Sequence, residues 1–242
     1  MYKIDIFIKT YEKDFKWLQF CLESINKFVY NINNIIIAIP QYDYDKFNEI
    51  LNIKHLHNIS NNIKYVVTND YGDTYLYQQY IKMTSYQYSD ADLIMFVDSD
   101  VIFKEETNIY DLFIDNKPII YYTPYQHVGI AICWKQPTSQ FIGEEQHYEF
   151  MRRNCLIYFR DTISAIHIQY PNLEEIIMGS SIGFSEFNAI GAWTFRNEKD
   201  RYHFINSREV APKPEKYIQF WSPTNINDQD LKIINRILYD NN

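Results

Sequence analysis

Leu93-Ile-Met-Phe-Val-Asp-Ser-Asp-Val-Ile-Phe103 is the stretch on which the reading of this chain turns. An apolar run leads into Asp98, a second carboxylate follows at Asp100, and a shorter apolar run closes the segment. A continuous apolar run of this length suits a strand covered on both faces, as in the interior of a parallel sheet. Side chains at i and i+2 of an extended segment point the same way. Asp98 and Asp100 are therefore expected to converge on one hard cation at the strand's carboxyl end, where ligands of open α/β sheets bind.

Spacing alone would not single the pair out. Asp-x-Asp triplets begin at Asp43, Asp90, Asp98 and Asp228, and the Asp content gives about one by chance. The triplets at 43, 90 and 228 fall in polar, turn-like or helix-starting sequence, where solvated surface carboxylates are expected. Only Asp98 and Asp100 follow a buried-strand pattern. The competing reading of that pair is a strand-ending Asx turn that binds nothing.

Outward from this segment, residues 2–10 read as a first strand and 14–28 as a helix with Trp17, Leu18, Cys21, Leu22, Ile25 and Phe28 on its apolar stripe. Strands are expected at 34–39, stopped by Pro40, and at 63–68, with helices at 43–51 and 75–86. The order βαβαβαβ predicts an α/β fold with a mostly parallel central sheet flanked by helices. Beyond Phe103 the pattern is less regular. Strands are expected at 119–124 and 130–134, helical stretches at 144–153, 160–168 and 173–187, and a closing helix at 228–239 with Asp228 as N-cap and Leu231, Ile234, Ile237 and Leu238 inward.

With 242 residues, 46% of them hydrophobic, the chain is expected to form one domain with a substantial core. A net charge of −8, with no Lys/Arg cluster beyond Arg152 and Arg153, lacks the footprint of a nucleic-acid binder. A nucleotide diphosphate stays admissible, because a divalent ion and one or two local cations offset its charge in a cleft. Cys21, Cys133 and Cys155 are odd in number and widely spaced, which indicates neither a disulfide framework nor a zinc ribbon but a reducing, cytoplasmic compartment. The start of the chain carries Lys3 and Asp5, unlike a signal peptide, and no apolar run is long enough for a transmembrane segment.

Gln78, Gln79 and Lys82, followed by the apolar strand and DSDVIF, resemble nucleotide-sugar glycosyltransferases of the GT-A (Rossmann-like) fold. The closest likeness is to an uncharacterised family of such glycosyltransferases; a looser one is to the glycogenin-like family. The stretches GEEQHYEFMRRNCLIYFRD (143–161) and SEFNAIGAW (185–193), with the first strand ending at Lys9, Thr10 and Tyr11, extend the likeness over most of the chain. The resemblance implies a nucleotide-sugar-binding half at 1–104 and a helix-rich acceptor-side half at 105–242. It further implies manganese or magnesium on Asp98 and Asp100, a UDP-sugar donor, and a glycan or protein acceptor. Lys82 would contact the donor, with Gln78, Gln79 and Ser99 nearby, while Lys9, Thr10 and Tyr11 border the base. These roles suit the chemistry, since a glycosyl donor leaves as a diphosphate whose growing charge a metal and a lysine neutralise.

On the acceptor side Glu186 is the leading candidate. It stands in GFSEFNAIGAW, whose aromatic residues suit the C–H faces of sugars and whose Gly183 and Gly191 would allow close approach. It could act as general base, bind the acceptor, or belong to a structural ion pair. Glu144 and Glu145 are explained by the start of a helix, and Arg152 and Arg153 by its end, although either arginine could reach a phosphate. His203 is the candidate third metal ligand, and a lone histidine beside aromatic residues is equally a core or surface residue. The late His-then-Lys-Pro-Trp signature of glycogenin-like proteins is absent.

Three other functions fit less well. A phosphohydrolase of the haloacid dehalogenase type carries its Asp-x-Asp on the first strand, not about the fourth. A sugar-phosphate nucleotidyltransferase needs a glycine-rich phosphate loop after its first strand, and KTYEKDF has no glycine. A catalytically inactive sugar-binding protein on the same fold would not need both aspartates.

Overall fold

Three of the expected apolar strands lie side by side in a computed structural model of the chain, which describes residues 1–51, 53, 55–69, 74–151, 155–210, 215–220 and 226–240. The first half runs β1 (Ile4–Lys9), α1 (Phe15–Phe28), β2 (Val29–Tyr30), β3 (Ile35–Pro40), α2 (Tyr44–Ile50), β4 (Ile63–Thr68), α3 (Thr74–Met83), β5 (Leu93–Phe96) and β6 (Val101–Phe103). Every residue of β1, β3 and β5 is buried, as near-continuous Ile, Leu and Phe runs require. These strands and β4 are mutually parallel, with Ile6 opposite Ile35 and Phe7 opposite Phe96. The main sheet has the order β11-β5-β1-β3-β4, and β11 (Ile157–Phe159) is its antiparallel edge.

Helix α1 buries Trp17, Leu18, Cys21, Leu22 and Ile25 at helical spacing, each large apolar side chain contributing about 1.5–3 kcal/mol. The mostly parallel central sheet flanked by helices is the expected fold class.

The second half runs β7 (Thr107–Asn108), β8 (Phe113–Ile114), β9 (Lys117–Pro124), α4 (Lys135–Ile142), β10 (Tyr148–Glu149), β11, α5 (Arg160–Gln169), α6 (Leu173–Met178), α7 (Glu186–Asn197), β12 (His203–Asn206), β13 (Tyr217–Gln219) and α8 (Asp228–Leu238). Strands β10, β9 and β12 form a second sheet, while β13 pairs antiparallel with β6. Among the described residues no helix is long and apolar enough to cross a membrane.

Several expectations fail here for local reasons. Residues 129–134 form a 3-10 helix, not a strand; Gly129 takes φ +58°, which an extended chain does not use. The helix expected at 144–153 is absent from the described part of that range. Gly143, left-handed at φ +81°, ends α4 before it, and Tyr148–Glu149 then pairs with β9. Glu144 and Glu145 are accordingly surface partners of Arg196 and Lys135, not helix-start residues. Arg152 and Arg153 lie outside the described residues. The helical stretch at 173–187 is interrupted between Met178 and Glu186. Asn227, not Asp228, caps α8, accepting from the Gln229 and Asp230 N–H groups while Asp230 returns a bond to the Asn227 N–H. Asp43 is buried, contrary to the surface expectation, and accepts the Glu12 N–H at 2.9 Å.

Candidate active site

Strands β3 and β4 extend the sheet to one side of β1, and β5 joins its other side. The order reverses there, so the carboxyl ends of β1 and β5 flank the crevice where α/β sheets hold ligands. Lys9 ends β1 and Thr10 follows it; Asp98, Ser99 and Asp100 follow β5.

The aspartates do not lie on a continuous strand. Strand β5 stops at Phe96, and the Val101 N–H donates to the Asp98 carbonyl at 3.1 Å, closing a turn before β6. Strand alternation therefore does not explain their convergence; the turn does. The Phe220 N–H donates to the Asp100 carbonyl at 2.9 Å and Ser99 Oγ to Asp14 Oδ2 at 3.2 Å, fixing the turn from two sides. Beneath it the Cys21 thiol donates to the Asp98 carbonyl at 3.8 Å. Burial pushes that thiol well above its usual pKa, and the charges of Asp100 and Asp98 add to the effect.

Both carboxylates face the same place. Gln219 Nε2 lies 3.4 Å from Asp98 Oδ2 and 3.5 Å from Asp100 Oδ1, long contacts that set one nitrogen between the two groups. Lys82, 2% exposed, reaches up from the last turn of α3. Its Nζ is 2.7 Å from Asp98 Oδ1, 2.8 Å from Glu186 Oε1 and 4.7 Å from the centre of the Phe187 ring. Burial pulls the ammonium's pKa down, but Asp98 and then Glu186 outweigh it and hold Lys82 above the ordinary lysine value. Glu186 begins α7, whose N-cap Ser185 accepts from the Asn188 N–H. The Glu186 N–H donates to Gln79 Oε1 at 3.1 Å, so α3 and α7 are tied together at the ion pair.

These groups line a cleft of about 850 Å³ that brings together Asp98, Ser99, Asp100, Lys82, Gln78, Gln79 and Glu186 with Lys9, Thr10 and Tyr11. His203 is not among its lining residues; it pairs with Ile119 in the second sheet. Gly191 does not serve sugar approach, since a Cβ there would run into Phe150 and the glycine lets α7 pack on that ring. Gly183, at φ +90°, lies against Trp134.

Residues not foreseen complete the walls. Glu215, Tyr217 and Gln219 come from β13 and the residues before it, at alternate positions of an extended segment too short for its period to be read from the sequence. Ile130, Cys133 and Trp134 of the 129–134 turn also line the cleft, with Trp134 stacked on Tyr75 at 6.3 Å. Ile130 is 92% exposed, so this apolar run forms a lip instead of core.

Asp98 and Asp100 are oxygen donors of the kind a hard divalent cation takes. Among the described residues no group of three or more His, Cys, Asp and Glu side chains gathers to hold a metal. A magnesium-like ion nevertheless needs only one or two carboxylates when phosphate oxygens and waters complete its shell.

No protein-family model and no curated protein matches the chain. Among solved structures it is similar to 4-diphosphocytidyl-2C-methyl-D-erythritol synthase from Anaerococcus prevotii, with 15% identity, a TM-score of 0.52, and coverage of 98% of this chain and 96% of that one. At that identity the likeness speaks for architecture: both chains share, over nearly their full lengths, an α/β fold with a mostly parallel central sheet.

Proposed function

We propose that the protein transfers a sugar from a nucleotide-diphosphate sugar, UDP-linked by preference, to an acceptor hydroxyl in the presence of manganese or magnesium. The carrying observation is that Asp98 and Asp100 face one point at the carboxyl end of an interior parallel strand, beside a buried lysine. The bound cation would supply charge neutralisation to the departing diphosphate. Lys82 adds a second positive charge at the same place, preorganised by Glu186 and shielded from water. Thr10 and Tyr11 border the base, Ser99 and Gln78 the donor, and the Tyr75–Trp134 wall the acceptor.

Glu186 gives one carboxylate oxygen to Lys82, which supports a role in orienting that lysine over one as general base. The solved neighbour is named for a diphosphocytidyl product, so nucleotidyl transfer is the second reading. The glycine-free loop after β1, with Lys13 and Lys16 exposed, favours sugar transfer.

The test is calorimetry and thermal shift with manganese across UDP, CDP, GDP and their sugars. A raised melting temperature with manganese plus one nucleotide diphosphate, lost in Asp100→Ala, is expected. No shift with any of them, or an unchanged shift in Asp100→Ala, sinks the reading. Turnover of a nucleoside triphosphate with a sugar phosphate would establish the alternative.

A further inference from the structure

Lys82 is already seated on one of the two aspartates. Its Nζ is 2.7 Å from Asp98 Oδ1, and the side chain is 2% exposed, so the ammonium is an internal cation at the place where an external one would bind. A divalent ion bound to Asp98 would sit about 2.1 Å from a carboxylate oxygen, within a few ångströms of Nζ. Two cations that close, one of them on a side chain only 2% exposed, repel strongly, and each raises the cost of the other. Glu186 offers Lys82 a second anchor at 2.8 Å, so the ammonium can release Asp98 and still keep a buried counter-charge. A diphosphate supplies the missing negative charge between the two cations.

We infer that Lys82 couples metal binding to nucleotide binding: resting on Asp98 it keeps the cation site weak, and a nucleotide diphosphate that draws it toward phosphate, pivoting on Glu186, makes the site strong. The inference rests on the metal-dependent sugar-nucleotide reading and adds an order to it, with metal and nucleotide arriving together and metal alone held poorly. Lys82 is thereby a positioning residue for the cation as well as a contact for the donor.

The experiment measures free manganese by electron spin resonance as the intact protein is titrated, with and without UDP. In the wild type, manganese alone binds weakly, and saturating UDP tightens it by about tenfold or more. In Lys82→Met, manganese alone binds about tenfold tighter than in the wild type, and UDP adds little. A lysine that only contacts phosphate would leave binding of manganese alone unmoved. Glu186→Gln has the opposite sign, since Asp98 then holds the ammonium alone: manganese by itself binds more weakly. Circular dichroism and melting curves check that each variant is folded; should Lys82→Met not fold, Lys82→Gln and Glu186→Gln carry the test. Manganese affinity equal to wild type in the folded variants, with UDP coupling seen in the wild type, overturns this inference alone. No manganese binding by the wild type with any nucleoside diphosphate overturns the proposed function and the inference together.

Discussion

Each end of the parallel sheet carries buried carboxylate, and the two ends satisfy it differently. At the amino end Asp5 of β1 is 0% exposed and accepts from Asn33 Nδ2 (2.8 Å), the Asn34 N–H (3.0 Å), Asn34 Nδ2 (3.1 Å) and Ser89 Oγ (2.7 Å). Four neutral donors surround it, and it staples the segments that precede β3 and β5 to β1. At the carboxyl end Asp98 and Asp100 open on a cleft, where the buried Lys82 sits on Asp98 and the Gln219 amide lies at long range from both. A carboxylate enclosed by neutral donors is complete without a ligand, whereas two adjacent carboxylates opening on a cleft are stabilised by added positive charge. The same residue type thus serves the fold at one end and substrate capture at the other.

Stability measurements can break that contrast. Asp5→Ala strands several buried donors and is expected to cost about 3 kcal/mol in urea unfolding, because each unsatisfied buried group costs roughly 1–3 kcal/mol. Asp100→Asn, which removes one of two neighbouring negative charges, should stay within about 1 kcal/mol of wild type while losing the manganese-plus-UDP shift. Equal destabilisation by both variants would make the tip carboxylates structural. Gly191→Ala probes how firmly α7 holds Glu186 over Lys82. Its Cβ would collide with Phe150, whose N–H is fixed to Asn188 Oδ1 at 2.8 Å, so a loss of about 2 kcal/mol is expected. A wild-type unfolding midpoint there would show that α7 shifts freely. Gln79→Ala removes the acceptor of the Glu186 N–H and should cost about 1 kcal/mol, with weaker UDP binding as Lys82 loses its anchor.

What the sequence made visible follows the same division. The strands of the first half announced themselves because β1, β3 and β5 are buried on both faces, and burial writes itself as uninterrupted apolar residues. Asp98 and Asp100 stood out because charge after such a run is costly to keep without a purpose. Gln219 did not, because it meets Asp98 from 121 residues away and from a three-residue strand too short to show a period. Residues 129–134 misled for the converse reason: apolar residues on a cleft lip have the composition of a strand and the exposure of a surface. Lys82 rested on resemblance alone, since a lysine in a helix carries no mark of burial until Asp98 and Glu186 are seen around it.

Cysteine chemistry gives the smallest and most local reading of the cleft. Cys21 and Cys155 are buried, and burial, followed by nearby negative charge, pushes both thiols well above their usual pKa. Cys133 is exposed on the lip of the same cleft that Asp98 and Asp100 line. Since the thiolate is the reacting species, a maleimide should label one thiol per native chain, at Cys133, and stability should not change. Manganese with UDP should slow that labelling if the lip closes on the donor side, and an acceptor sugar should slow it further if the Tyr75–Trp134 wall receives the acceptor. Labelling indifferent to every ligand would separate the lip from the carboxylate floor and confine substrate binding to the sheet's carboxyl end. Rapid labelling of Cys21 would be the more serious result, because that thiol lies beneath the Asp98 turn and is reached only if the turn itself opens.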